Sequence, residues 1–378
     1  MVEAAGESES RKAFQELLEL LRDVDARFLG PEWGLVGDDD VAGGFRALMH
    51  ILQGALFGHF EEEPSHPHFL RIVSPSRKFT GDNADAIYYE APVDPTRSYR
   101  VRGRVAGAIY TSITLEAGGA QGAFGTHTAG VINDEAFDLG PEGDFEIVLG
   151  GPPQERNWLG MAPDVNRITT RHYFENARSA AGDPSLKIEL EIVPVDPTSP
   201  PPRPDDISVA AGIRRVANFV KSRTVDMPPP GEREQPPFVS TQPNQFPRPI
   251  KPGDFALAAA DAAYSMAPYV LGPDQALIIR GRWPECRCAN ISLWNRHMQT
   301  YDYLTRPVSL NRRQTRLEPN GDFRMVIAHR DPGVANWLDT EGRPFGLVFW
   351  RFMLPQGEIR TPEAEVVAFE TVAAEDAN

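Results

Sequence analysis

Hydrophobic positions recur along the chain with two different periods, and the change of period divides it. Phe14, Leu17, Leu18, Leu21, Val24 and Phe28 fall at helical spacing, and this stripe stops near Gly30-Pro31. Val41, Phe45, Leu48, Leu52 and Leu56 repeat the spacing after "GDDD", whose aspartates suit the start of a helix. His50 and His59 fall within this second helix as packing or surface residues. From about Asp85 to Val193 the period is two, in short runs rich in Val, Ile, Tyr and Phe separated by Gly and Pro. The stretch "PVDPTSPPPRPDD" cannot extend a sheet. A helix follows with Ile207, Ile213, Val216, Phe219 and Val220 on its apolar side, then a second proline-rich stretch reaching Lys251-Pro252. A short Ala-rich helix, Phe255 to Ala263, is expected to lead into a second β-patterned region that ends near Val372. The expected organisation is a helical segment (1–75), a β region (76–195), a linker with one helix (196–253) and a second β region (254–378).

The two β regions match one another. "YRVRGRVAGAIYTSITLE" lies on "LIIRGRWPECRCANISLW", with Arg102-Gly103-Arg104 on Arg280-Gly281-Arg282 at an offset of 178. "LGPEGDFEIVL" lies on "LEPNGDFRMVI" at the same offset. Asn157-Trp158-Leu159 lies on Asn336-Trp337-Leu338 one residue later, and "ITTRHYF" lies on "LVFWRFM". Four matches in order at a nearly constant offset are the signature of an internal duplication. The expected fold is therefore mainly β with accessory helices: two tandem jelly-roll-like β-sandwiches related by that duplication. Features common to both copies belong to the fold. Trp158 and Trp337 are expected to fill the end of each sandwich, and "PEGD" and "PNGD" to form tight hairpin turns. In the Arg-Gly-Arg strand, Tyr99, Val101 and Val105 face one way and the arginines the other, as a solvated face beside carboxylates.

Function is expected where the copies differ. After the second strand, copy one carries the glycine-rich "AGGAQGAFGTHTAGVINDEAFDL", while copy two carries "NRHMQTYDYLTRPVSLNRRQTRL". The candidate acid–base residues are His297 and His329, oriented by Asp302 or Asp331. Trp294, Arg296, Tyr301, Tyr303, Arg312 and Arg313 are candidate ligand contacts, the arginines suited to grip a carboxylate, sulfate or phosphate. Asp82 and Asn83, in the polar run before the first sheet, are placed to line the seam between copies with Asp85, or to cap turns. Asn133 aligns with Asn311, and Asp134-Glu135 with Arg312-Arg313, which a face-to-face arrangement would allow to pair.

Composition narrows the partners. The 35 prolines and 32 glycines among 378 residues suit a turn-rich protein. A net charge of −15 disfavours nucleic acid and anionic membrane surfaces. Cys286 and Cys288 complete neither a disulfide framework nor a zinc set, and read as small semi-buried thiols. The start of the chain has no apolar signal-like run, so a cytoplasmic, soluble protein is expected. His329-Arg330-Asp331 echoes a kinase catalytic loop, but no glycine-rich nucleotide loop accompanies it. No metal or other cofactor is expected; a small-molecule partner is, and homo-oligomerisation stays open.

Copy two, from "AYSMAPYVLG" through "PNGDF" to "NWLDTEGRPFGLVFWRFMLP", resembles the bacterial domain of unknown function 1214. That family's pattern runs from a DG-type turn to Asn-Trp-Leu and a strand closing on Arg, an aromatic and Pro. Copy one matches more loosely, and Asp339-Thr340-Glu341-Gly342 stands where many members carry a Pro-rich turn. The resemblance implies a β-sandwich of jelly-roll type and brings no reaction, cofactor or catalytic residue. The function expected first is an enzyme of small-molecule metabolism, acting on an anionic or hydroxylated organic substrate by His/Asp chemistry. A non-catalytic module for a carbohydrate or lipid-like ligand comes second, and an oligomerising scaffold third.

Overall fold

The computed structural model describes residues 8–253 and 257–375. Three long helices form: α1 (Glu9–Ala26), α2 (Asp38–His59) and α3 (Asp206–Ser222). Ser8 caps α1 by accepting from the Arg11 amide, and α1 then lies along α3. Arg214 of α3 grips Glu16 at 2.9 Å, and Asp206 accepts from the amide of Glu9 at 2.7 Å. Gly37, not an aspartate, caps α2; Asp38, Asp39 and Asp40 occupy its first turn, where their charge complements the exposed amides. The buried face of α2 is rotated from the expected stripe, to Gly44, Ala47, Leu48, Ile51, Ala55 and Gly58, leaving Phe45 and Leu56 exposed. Small residues let the helix approach closely, so packing selected the glycine and alanine side. The Ala-rich helix expected over Phe255 to Ala263 lies partly outside the described residues; from Leu257 the chain runs in turns, and Ala262 already begins a strand.

Each β region supplies two sheets. In the first, Ala86–Pro92, Val165–Tyr173, Tyr110–Ala117 and His127–Asn133 lie side by side in that order, with the short Leu70–Arg71 at the outer edge. The facing sheet is Trp158–Leu159, Asp144–Leu149, Tyr99–Arg104 and Leu190–Pro194. In the second region the orders are Ala262–Val270, Phe345–Met353, Cys288–Trp294, Ser309–Asn311, and Trp337–Asp339, Phe323–Ala328, Gln275–Gly281, Glu363–Ala368. Strand for strand, the two orders coincide. Tyr99, Val101, Ile113, Leu115, Ile147 and Leu149 pack between the first pair of sheets, and Leu277, Ile279, Ile291, Leu293, Ile327 and Trp350 between the second.

The Arg-Gly-Arg strand alternates as its sequence predicts. Outside, Arg100 and Arg102 meet Glu146 at 2.8 and 2.7 Å, Arg104 meets Glu142 at 2.9 Å, and Arg282 meets Asp322 at 2.7 Å. Gly103 pairs with Phe145 and Gly281 with Phe323, and a Cβ at either glycine would lie 2.7 Å from the opposing ring. The glycine therefore makes room for a cross-strand aromatic.

Asn-Trp-Leu is structural in a different way from that expected. Asn157 and Asn336 both adopt left-handed backbone, with φ of 51° and 57°. Their side-chain oxygens accept from the amides of Asp138 and Arg316, which fixes the turn before a short parallel strand. Alternation then sends Leu338 into the sandwich, fully buried, and leaves Trp337 half-buried on the outer face against Val326 and Ala328. The indoles donate to the carbonyls of Gly150 and Ala328. Leu338 is the interior residue of the second pair, while Leu159 is half-buried against the core of the first sandwich. "PEGD" and "PNGD" turn tightly through Gly143 and Gly321 with positive φ, but they lead into a strand of the opposite sheet rather than joining a long hairpin.

The halves meet face to face. Tyr88, Tyr110 and Tyr173 of the first region pack with Tyr264, Met266, Cys288, Phe349 and Met353 of the second, and the helices close over one side. The polar contacts across this seam are reciprocal. Asn311 donates to Asp85 at 2.9 Å, and Asn133 donates to Asp261 at 2.8 Å. Strand pairing sets Arg171 and Arg351 in equivalent places, opposite Ser112 and Asn290. The sequence match of "ITTRHYF" on "LVFWRFM" is thereby shifted by one residue.

Candidate functional site

The expected loop residues separate into two groups once folded. Most are structural. Trp294 is 1% exposed, stacks on Phe349 at 4.2 Å, and donates its indole N–H to the Asp82 carbonyl at 3.1 Å. Tyr301 is buried with its hydroxyl 2.7 Å from that of Tyr269. Lys78 lies 3.6 Å from the ring centre of Tyr303 and donates to Thr300 at 2.7 Å. Asp82 accepts from the Thr300 amide at 2.8 Å, and Asn83 accepts from Asn290 at 2.6 Å, so both tie the halves together as a seam position allows. Arg312 is locked to Glu175 through two contacts of 2.6 and 2.8 Å and caps the carbonyls of Cys286 and Arg287. Arg313 is exposed. The partner of Asp134 and Glu135 is Arg287, at 3.7 and 2.9 Å, in place of the Arg312-Arg313 pair.

Among the described residues no carboxylate orients either candidate imidazole. Asp302 accepts from the Leu304 amide and from Thr305, and Asp331 accepts from the Gly333 amide, both within their own exposed turns. His329 is held by Thr340 at 2.6 Å and by the Leu271 carbonyl at 3.3 Å. A polar side chain two residues from a turn amide satisfies that amide first, and this local competition removed both aspartates from the expected pairs.

Arg296 and His297 go elsewhere. They enter a cleft of about 650 Å³ between α2, the segment after α3 and the second sandwich. Its walls are largely apolar, with Phe28, Trp33, Ile51, Met227, Met266 and Phe345 among them. Arg296 is occupied by Asp40 at 2.8 Å and the Gly34 carbonyl at 2.6 Å. His297 packs its ring 5.9 Å from Phe28, and its Nε2 is buried without a partner. Burial, reinforced by Arg296 and Arg233, pushes this imidazole down to about 4, so it is neutral at pH 7.

Three further polar groups line the cleft and were not singled out from sequence. Gln299 is 2% exposed and its Oε1 has no partner. Arg233 lies 4.6 Å from the Trp33 ring with one terminal nitrogen unpartnered, and burial lowers its pKa. Arg223 stacks 4.2 Å over Phe124, its Nε unpartnered, and burial pushes it down to about 10. Arg223 caps the C-terminus of α3 and Arg233 follows it in a stretch that reads as linker, so only the fold brings them to His297. Their signal in the sequence is weak: two arginines ten apart, flanked by prolines.

Among the described residues no group of His, Cys, Asp and Glu could hold a metal ion. No described helix is long and apolar enough to cross a membrane. Cys286 and Cys288 are free thiols, and burial pushes Cys286 up to about 11.

No family model matches the chain, and comparison with curated proteins finds no match. Among solved structures, a protein from Vibrio parahaemolyticus aligns over 85% of this chain and 98% of its own, at 12% identity and a TM-score of 0.48. An uncharacterized protein from Burkholderia cenocepacia is 27% identical, covers 95% of this chain and 98% of its own, and superposes with a TM-score of 0.80. This chain is thus similar to the Burkholderia protein over nearly its whole length, in sequence and in fold.

Proposed function

We propose that this protein binds a small amphipathic organic anion in the cleft between α2, the segment after α3 and the second sandwich. The observation that carries the reading is the pairing of apolar walls with buried, unpartnered polar atoms of Arg223, Arg233, His297 and Gln299. Such atoms cost roughly 1–3 kcal/mol each when left unsatisfied, and a ligand that supplies acceptors and a donor recovers that cost. The volume falls in the range of roughly 300–1,000 Å³ typical of small-molecule sites. Arg233 and Arg223 would take a carboxylate, the Met and Phe walls its apolar body, and neutral His297 and Gln299 a hydroxyl. Met227, Met266 and Met298 in its lining favour an adaptable fit over a rigid one.

A binding module is favoured over an enzyme because His297 is neutral, without a carboxylate partner, and poorly basic at pH 7. The enzymatic reading rests on the free Nε2 of His297, which would have to act as a weak base on a bound substrate. The reading also takes the two halves as products of a duplication with jelly-roll-like wiring. Coincident strand orders, the paired left-handed asparagines and the reciprocal Asn–Asp contacts support it. The likeness to domain of unknown function 1214 remains part of this proposal, as does a cytoplasmic setting.

The test is calorimetric titration with decanoate and with decanol. Decanoate should bind and decanol should bind at least tenfold more weakly; Arg233→Ala should remove the difference, since a charge-assisted contact is worth more than about 1.4 kcal/mol. Equal affinity for acid and alcohol in the unmodified protein would overturn the proposal.

A further inference from the structure

The walls of the cleft are held unequally. The strands Ala262–Val270 and Phe345–Met353, paired along their length, supply Met266, Pro268, Phe345 and Leu347, and α2 supplies Ala47 and Ile51. Residues 227–237, "MPPPGEREQPP", add Met227, Pro230, Gly231, Arg233 and Gln235. Five of these eleven residues are proline and have no amide proton to donate. At the near end the Met227 amide donates to the Thr224 carbonyl at 3.1 Å; just past the far end the Met266 amide donates to the Phe238 carbonyl at 2.8 Å. Between these ties the bonds are internal. The Glu232 amide donates to the Pro229 carbonyl at 2.9 Å, and Arg233 Nε donates to the Pro228 carbonyl at 2.6 Å. Among the described residues, 228–235 make no hydrogen bond or ion pair with the body of the protein. What rests on the body is the Arg233 guanidinium, 4.6 Å from the centre of the Trp33 ring, which Phe28 meets edge-on at 4.4 Å. A segment with so few outward bonds opens locally at low cost.

Charge opposes the closed position of this wall. Arg233 acts on Arg223, the residue that caps α3, as one cation on another. Among the described residues no carboxylate bears on either guanidinium. Asp40 is taken by Arg296 at 2.8 Å and Asp226 by Lys221 at 3.5 Å, while Glu32, Glu232 and Glu234 are exposed and form no ion pair. Arginine does not relieve the repulsion by losing its proton. Like charges in a partly desolvated cleft repel, and a loosely held wall relieves the repulsion by moving away. An anion between the two reverses the sign. It gains contact with Arg233 only while the wall is closed, and that difference in affinity is what shifts a two-state element.

We propose that residues 228–237 are a lid over the cleft, closed by a carboxylate that bridges Arg223 and Arg233 and seated by Trp33. The inference rests on the proposed carboxylate site and assigns its regulation: charge closes the lid, and the apolar body fills the space beneath. Prolines at both ends fix φ and stiffen the arms, so the lid swings as a unit rather than unravelling. Trp33 is a positioning residue, holding the Arg233 guanidinium where a carboxylate on Arg223 can reach it. A closed lid slows release, so the affinity gained by charge lies in the off-rate.

The test places nitroxides at Gly231→Cys on the lid and Gln53→Cys on α2, in a Cys286→Ser background, and reads their separation by pulsed electron resonance. Both positions are open: a Cβ at Gly231 would have no atom within 4 Å, and Gln53 is exposed. Without anion the distance distribution should be broad. Saturating decanoate should collapse it to one narrow peak, and decanol, at a concentration that calorimetry shows to fill the cleft, should not. Arg223→Gln should keep the distribution broad in decanoate. Trp33→Leu should do the same, whereas Trp33→Phe, which keeps an aromatic face for the guanidinium, should restore the narrow peak. A single narrow peak with no anion present, or a broad one while calorimetry shows decanoate bound to the labelled protein, would overturn the lid and leave the carboxylate site standing. No heat of binding with decanoate would overturn both.

Discussion

His172 lies on the strand Val165–Tyr173, fully buried, with its two ring nitrogens beside the hydroxyls of Thr111 and Thr170 at 3.4 and 3.1 Å. Burial alone pushes its pKa down to about 3, so the folded protein holds it neutral through the accessible acid range. In the unfolded chain the same imidazole titrates near 6.5. Between these values the unfolded state binds the extra proton, so the contribution of His172 to stability is fully present above pH 6.5 and is lost as pH falls. From pH 7 to pH 4, with a folded value near 3, the loss is about 3 kcal/mol. His172→Gln keeps a side chain that can bond the threonine hydroxyls but does not titrate. Urea unfolding at pH 7, 5.5 and 4 should therefore show the unmodified protein losing about 3 kcal/mol more than the variant over that interval. His50, His59 and His297, also lowered by burial, act in the same direction in both proteins and cancel in the comparison. Parallel stability profiles for the two proteins would refute the argument, whatever the offset between them.

Leu338→Ala should destabilise by about 2–5 kcal/mol and by more than Trp337→Ala, because alternation buries the leucine and leaves the indole half-covered; the reverse order in chemical denaturation would restore the tryptophan to the core. Arg312→Ala should cost about 3 kcal/mol by stranding Glu175 and two carbonyls, while Arg313→Ala should stay within about 0.5 kcal/mol; equal melting temperatures would remove Arg312 from the framework. Subtilisin should nick first within the exposed residues 199–206, and the two pieces should still elute together, held by the seam and by α3. Separation of the fragments without denaturant would show the seam to be weak.

The parts of the fold legible in the sequence were those set by local rules. The period-two runs, the alternating arginines and the order of the strands' sequences all follow from pleat and turn chemistry that a neighbour in space does not alter. Helix faces were less legible, because α2 was read by its largest residues, Phe45 and Leu56, whereas close packing favoured Gly44, Ala47 and Gly58. The site was half legible. The difference between copies led to Arg296 and His297, yet the same difference also gathered Arg312, Tyr301 and Trp294, whose partners Glu175, Tyr269 and Phe349 are remote in sequence. Arg223 and Arg233 were hidden by their setting, since a proline-rich stretch gives no period from which to read which way a side chain turns.

The reciprocal contact across the seam is the kind a two-fold dimer makes: each partner offers the same patch, so Asn311 meets Asp85 as Asn133 meets Asp261. Two identical subunits joined that way would carry two identical sites. Here both partners belong to one chain, and the site need not be repeated. Where the second half sends Arg296 to Gln299 into the cleft, the first half has Gly118 to Gln121, and α3 lies against that turn, with Asn218 donating to the Gln121 carbonyl and the Arg215 backbone filling the space beside Gly122. One end of the pseudo-axis is thus plugged and the other left open. With the proposed cleft carried once, its saturation curve should show no cooperativity between halves, and changes to the plugged end should alter stability without a second cleft to silence.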